Sequence, residues 1–216
     1  MTRKWSFIES TAPQLTEAWF QDRAGRATGS CAKNILAQVR TGEAAARRDY
    51  RVQLCCERLT GKPQINDFKN DDMQRGIDLE APARDALEAR QGYLVRQTGF
   101  LACTDQLVGC SLDGEINNFE GICEIKCPKS ANHLRYMADG VMPHEHMPQI
   151  LHNLLVSGAK WCDFASFDDR FPKNMQLWVI RIQPKPEDLI RYEIELEQFL
   201  RETAAQLESL KRYATP

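Results

Sequence analysis

The stretch GCSLDGEINNFEGICEIKCP, residues 109–128, decides how this chain is read. Its β-prone runs are divided at Asp113-Gly114 and Asn117-Asn118, residue pairs that favour turns. Asp113 therefore falls at the end of one strand, and the next strand presents Glu124, Ile125 and Lys126. Side chains alternate across a strand, so Glu124 and Lys126 share one face and Ile125 takes the other. Ile122, Cys123, Ile125 and Cys127 make this strand apolar enough for the interior, where a charged pair calls for a partner or a function. Two carboxylates can hold a hard Mg²⁺ with open water positions. A lysine beside them can orient or help deprotonate the attacking water and stabilise charge on a phosphate. An isolated acid-x-lysine is most often an ordinary same-face ion pair; the apolar strand around this one gives the catalytic reading its weight.

Working outward, residues 93–127 read as a three-stranded meander of short β-prone runs. Upstream, apolar residues at spacings of three and four predict helices over 14–21, 31–39 and 43–59, separated by glycines, with Thr28 or Ser30 placed to cap the second. A further helix is expected over 71–90, with Met73, Ile77, Ala83 and Leu87 as its apolar stripe and Pro82 either kinking it or opening a second helix. Glu80 interrupts that stripe with a carboxylate facing the core. Downstream, helices are expected over 131–139 and 143–157, strands over 161–167 and 175–182, and a long packing helix over 186–213 opened by a proline and two acids. The pattern predicts a single α/β domain over 1–216, with a mixed central β-sheet flanked by helices.

Composition narrows the class without naming a partner. The 216 residues carry 28 Lys and Arg against 30 Asp and Glu, which fits neither a disordered polyelectrolyte nor a histone-like basic protein. Residues 23–51 nevertheless hold seven basic side chains against two acidic ones, so the near-neutral total hides a basic segment. Arg23 lies beside a Gly-rich turn that opens a helix, and with Ser30 it forms a natural phosphate pocket of guanidinium fork and free backbone N–H groups. The eight cysteines show no CxxC pair and read as small buried hydrophobes of a reducing compartment. The four histidines lack the company that a zinc site or a nucleophile's base would demand and read as surface or groove residues. No run of 18 apolar residues and no N-terminal signal core is present, and the expectation is a cytoplasmic protein without a membrane partner.

The spacing D-x10-E-x-K of Asp113, Glu124 and Lys126, followed by Cys-Pro, resembles the metal site of the PD-(D/E)XK nuclease superfamily. The likeness is to the branch that contains phage lambda exonuclease, the YqaJ-type viral recombinases and the alkaline exonucleases. Three further stretches match in order. AWFQDRAGRATGS resembles the family's W-x3-R-x-G-x2-T-x-S through Trp19, Arg23, Gly25, Thr28 and Ser30; RGIDLE resembles its helical G-x3-E through Gly76 and Glu80; the segment 146–170 supplies Gln149 as the match to an active-site glutamine. The chain departs from the family at Leu112, where proline is usual, at Arg75, where tryptophan is frequent, and at Asn132, where the lambda enzyme has an arginine.

The resemblance implies a restriction-endonuclease-like fold. It makes Asp113, Glu124 and Glu80 ligands of Mg²⁺, with Mn²⁺ able to substitute, adds the Ile125 carbonyl as a ligand, makes Lys126 the group that positions the nucleophile, and makes Arg23 and Ser30 the 5′-phosphate site. The implied activity is 5′-to-3′ exonuclease digestion of linear double-stranded DNA, releasing 5′-mononucleotides and leaving a 3′ overhang. A toroidal homotrimer and a single-strand annealing recombination protein are the implied partners. A specific endonuclease of the same superfamily and a non-catalytic DNA-end-binding module are the rival expectations.

Overall fold

Leu112 and Asp113 interrupt the β-prone stretch and divide its strands between two sheets. The computed structural model describes residues 5–64 and 71–213. Within them the chain runs β1 (Phe7–Glu9), α1 (Glu17–Arg23), β2 (Ala27–Thr28), α2 (Ala32–Ile35), α3 (Ala45–Thr60) and α4 (Asp71–Gln91). It continues through β3 (Phe100–Cys103), β4 (Val108–Ser111), β5 (Gly114–Ile116), β6 (Gly121–Lys126), α5 (Ser130–Asp139), α6 (Met147–Ser157), β7 (Trp161–Phe167), β8 (Leu177–Ile182) and α7 (Pro186–Lys211). One sheet has the order β1-β3-β4-β2 and the other β5-β6-β7-β8. The second is mixed: β6 pairs antiparallel with β5 and parallel with β7, and β8 returns antiparallel. The expected meander is therefore two hairpins, one in each sheet. Gly114 permits the handover, because a Cβ there would lie 2.1 Å from Val95 Cγ1.

Two apolar clusters sandwich the second sheet. On one face Cys123, Ile125, Ala165 and Phe167 pack against Ala83 and Leu87 of α4. On the other, Ile122, Cys162 and Phe164 join a larger core that takes in Leu151 and Leu154 of α6 and Leu196 and Phe199 of α7. Each large apolar side chain buried there contributes about 1.5–3 kcal/mol. The β5–β6 turn closes with Asn117, Asn118 and Phe119 at positive φ. The Phe119 N–H donates to the Glu115 carboxylate at 2.8 Å, which satisfies the backbone in an unfavourable conformation.

The late elements lie within a residue or two of their expected positions, except that α6 begins at Met147, four residues after its expected start, while the early ones differ more. α4 runs as one helix through Pro82, and only Ala83 and Leu87 of its expected stripe are buried; Met73 and Ile77 are exposed. Neither Thr28 nor Ser30 caps the short helix that follows it. Ser30 is instead engaged by Arg23, and the Thr28 backbone N–H donates to the Tyr50 hydroxyl. The strands β1 and β2 carry no sequence signal, being three and two residues long. Among the described residues no helix is long and apolar enough to cross a membrane.

Candidate active site

Strand β6 places Glu124 and Lys126 on the face turned toward α6, as alternation requires, while Cys123 and Ile125 face α4. Glu124 is fully buried. Its Oε1 accepts from Lys126 Nζ at 2.5 Å and its Oε2 from Asn153 Nδ2 of α6 at 3.2 Å. α6 comes this close because residue 29 is glycine: a Cβ there would lie 2.3 Å from Asn153 Oδ1. Burial pushes the Glu124 carboxyl up to about 7, against the pull of the Lys126 ammonium and with the push of Asp113. Burial opposes the charge on Lys126 as well, but the carboxylates of Glu124 and Asp113 outweigh it and hold the lysine above its usual range. Lys126 is therefore a fixed cation and a hydrogen-bond donor.

Asp113 sits between the two sheets, and its Oδ2 accepts the Ile125 backbone N–H at 2.6 Å. Glu80 arrives from α4, held by Arg84 one turn on: Arg84 Nη2 donates to Glu80 Oε1 at 2.7 Å and Arg84 Nε to the Asp113 carbonyl at 3.2 Å. Both acids titrate above their usual range. For Glu80 the causes are burial and then the charge of Asp113; for Asp113 the cause is burial, which outweighs Lys126 and the Ile125 N–H. Three carboxyls that resist ionisation around shared space form a site that gains from a cation. Their oxygens, with the Ile125 carbonyl beside them, are the donors a hard divalent ion prefers. Among the described residues no three acidic, thiol or imidazole side chains are arranged to hold a metal ion together. The charged Lys126 and Arg84 draw Glu124 and Glu80 aside, so the fit is one of donor chemistry.

A second group is linked to the first through the end of β4. Arg23, at the end of α1, donates from Nη1 to Ser111 Oγ at 2.9 Å and from Nη2 to Ser30 Oγ at 3.3 Å. Its guanidinium lies 4.2 Å from the centre of the Trp19 ring, which fixes its plane. Burial works against its charge and lowers its pKa, the condition under which a buried cation gains from an anion. Ser111 ends β4 two residues before Asp113, so the guanidinium and the carboxylates are placed by the same short piece of chain.

The structure thus brings Asp113, Glu124, Lys126 and Glu80 into one cluster and Arg23 and Ser30 into its neighbour. Gln149 is half-buried one turn before Asn153 on the same face of α6, which puts it on the side of the helix that meets Glu124. Asn153, Ser111 and Arg84 complete the contacts and were not singled out from sequence. The i+4 spacing from Glu80 would have found Arg84, and the i+4 spacing from Gln149 points to Asn153; Ser111 carries no such signal. Two histidines correct the surface reading: His133 is buried against Ser166 Oγ and the Met175 carbonyl, and His152 between Tyr192 Oη and the Gly109 carbonyl. The basic segment is also tied down, since Arg47 pairs with Glu202 and Arg51 with Glu43 and Glu202. Those arginines fasten α3 to α7 and do not form an open basic face. The cysteines are free, and most are buried as expected.

The two sheets, the acid-x-lysine strand and the carboxylate that precedes it define a PD-(D/E)XK-type fold, and comparison with solved structures agrees. An alkaline exonuclease (LHK-Exo) from Laribacter hongkongensis superposes with a TM-score of 0.81 at 36% identity, over 92% of this chain and 98% of that one. The same protein in complex with dAMP gives the same values. A phage-related exonuclease from Haemophilus somnus 129PT shares the fold at a TM-score of 0.62 and 14% identity, over 85% of this chain and 95% of that one. Residues 18–160 match the model of the YqaJ-like viral recombinase domain, and the chain belongs to that family. No curated protein matches it.

Proposed function

We propose that this chain is a divalent-metal-dependent DNA exonuclease that digests linear duplex 5′ to 3′ from phosphorylated ends, releases 5′-mononucleotides and leaves a 3′ overhang. One observation carries the reading: Ser111 holds Arg23 while Asp113, two residues on, stands among the carboxylates. A terminal phosphate on Arg23 and Ser30 would leave the next phosphodiester close to the acids. The solved relative from Laribacter hongkongensis is called an alkaline exonuclease and was crystallised with dAMP, a 5′-mononucleotide of the kind proposed here as product.

Asp113, Glu124 and Glu80, with the Ile125 carbonyl, would hold Mg²⁺, for which Mn²⁺ can substitute. Bound there, the ion would supply Lewis acidity toward the scissile phosphate and lower the pKa of the attacking water. Lys126, charged and anchored to Glu124, donates to that water or to a phosphate oxygen and orients the attack. Asn153 holds the second oxygen of Glu124, and Gln149, one turn before it, lines the approach. Arg23 selects the end by its fork of donors. Family membership supports two extensions, a ring-shaped homotrimer around DNA and a single-strand annealing protein that takes over the overhang.

The test compares linear and covalently closed circular duplex, with 5′-phosphate or 5′-hydroxyl ends, with and without Mg²⁺. Mononucleotide release from phosphorylated linear ends alone is expected. Efficient cutting of circles would replace the exonuclease by an endonuclease. Retention of DNA ends without hydrolysis, unchanged in Lys126→Ala, would reduce the protein to an end-binding module.

A further inference from the structure

The residue that departs from the family before the helical glycine has a defined partner. Arg75 Nη2 donates to Asp168 Oδ1 at 2.9 Å and to Asp169 Oδ1 at 2.6 Å. Asp168 is fully buried immediately after β7, and three chain segments converge on its carboxylate. Besides Arg75 of α4 it accepts from Arg170 Nε and Nη2 at 2.7 and 2.8 Å and from Ser130 Oγ, at the start of α5, at 2.7 Å. Arg170 also donates to the Pro128 carbonyl at 3.4 Å, two residues past Lys126. Asp168 thereby joins the exit of the catalytic strand to the helix that carries Glu80.

That helix needs such a tie. Its fully buried anchors, Ala83 and Leu87, follow Glu80, whereas Met73 and Ile77, which precede it, are 52% and 42% exposed. Asp72 of the first turn pairs with Lys129 among the described residues, and both side chains are largely exposed. Exposed pairs of that kind add little to stability. The contact of Arg75 with a buried carboxylate is the stronger restraint on the N-terminal half of α4, and Arg75 lies five residues, roughly 7.5 Å of helix, before Glu80.

We propose that Asp168, acting through Arg75, is a positioning residue that holds Glu80 against Asp113 and Glu124 for divalent-metal binding. The inference rests on Glu80 being a metal ligand, as in the function proposed above. Neither residue touches the reacting atoms. Arg75 fixes the placement of α4 by a charged clamp.

A double-mutant cycle tests it, read by calorimetric titration of MnCl₂ into the DNA-free protein. Arg75→Gln should weaken Mn²⁺ binding by roughly 10- to 100-fold, the range seen when a group that orients a metal ligand is removed. Arg75→Lys should recover much of the loss. In a Glu80→Gln background Arg75→Gln should change Mn²⁺ affinity by less than about twofold, because its effect passes through Glu80. Circular dichroism and melting temperature identify variants that have lost the fold, and Asp168→Asn, the more disruptive change, serves as the second variant. Wild-type Mn²⁺ affinity in Arg75→Gln, or equal losses with and without Glu80, would overturn the clamp while leaving the metal site standing. Wild-type Mn²⁺ affinity in Glu80→Gln alone would instead remove Glu80 from the ligand set.

Discussion

Replacing Arg23 by glutamine should abolish the preference for a 5′-phosphate without abolishing hydrolysis. In the structure the guanidinium is held in plane by Ser111, Ser30 and the Trp19 ring, and two of its five N–H donors are spent on the serines. A phosphate seated there gains hydrogen bonds to a charged group, worth about 1.5–3 kcal/mol each. At about 1.4 kcal/mol per tenfold, loss of one such bond lowers kcat/KM on phosphorylated ends by roughly 10- to 150-fold. On 5′-hydroxyl ends the same variant should match wild type within a few-fold, because no phosphate is present to lose. Arg23→Lys keeps the charge and loses the fork, and should fall between the two. Loss of the stacking on Trp19, about 0.5–2 kcal/mol, makes a fall of a few degrees in melting temperature the expected stability cost. The assay is nucleotide release from matched duplexes that differ only at the 5′ end. Equal losses on both kinds of end, or discrimination that survives in Arg23→Gln, would refute the placement of the phosphate.

Other outcomes follow from the same contacts. Gly29→Ala sets a Cβ against Asn153 Oδ1, and it should cost about 1–3 kcal/mol of stability and reduce turnover, checked by urea unfolding and single-turnover rates. Mg²⁺ should raise the melting temperature of the wild type but not of Glu124→Gln, since an ion bound only by the folded state stabilises it by mass action. That shift should shrink below about pH 7, because the Glu124 carboxyl, pushed up to about 7 by burial, must lose its proton to bind the ion. His152 is held neutral by burial, with its pKa lowered to about 4 from 6.5. The unfolded chain then binds the proton first on acidification. The stabilisation is complete above about pH 6.5 and is lost as the pH falls toward 4, at up to about 1.4 kcal/mol per pH unit. Urea midpoints of wild type and His152→Gln at pH 7 and pH 5 measure it; equal acid sensitivity in the two would contradict the assignment.

The legibility of the site followed the range of the interactions involved. Glu124 and Lys126 could be paired from sequence because strand alternation is local, and Asp113 could be placed at a strand end because it opens the Asp113-Gly114 turn signal. Glu80 stood out as a carboxylate interrupting an apolar stripe, although half of that stripe proved exposed. The contact of Asn153 with Glu124 was not legible because nothing in α6 announces that Gly29, more than a hundred residues earlier, lets the helix close on Glu124. The basic segment misled for the same reason: charge is counted along the chain, but Arg47 and Arg51 are neutralised by Glu202 from the far end.

By itself the sequence determined most of the elements from α4 onward, the shared face of Glu124 and Lys126, and the all-oxygen chemistry of the carboxylate cluster. Periodicity, turn residues and side-chain type settle those over a few residues. Only the tertiary structure decided that the β-strands divide between two sheets at Asp113 and that Arg23 meets Ser111 beside the acids. Only there do Arg75 and Asp168, 93 residues apart, clamp the helix of Glu80. These contacts depend on burial and close approach between distant segments, and local sequence does not encode which segments will meet.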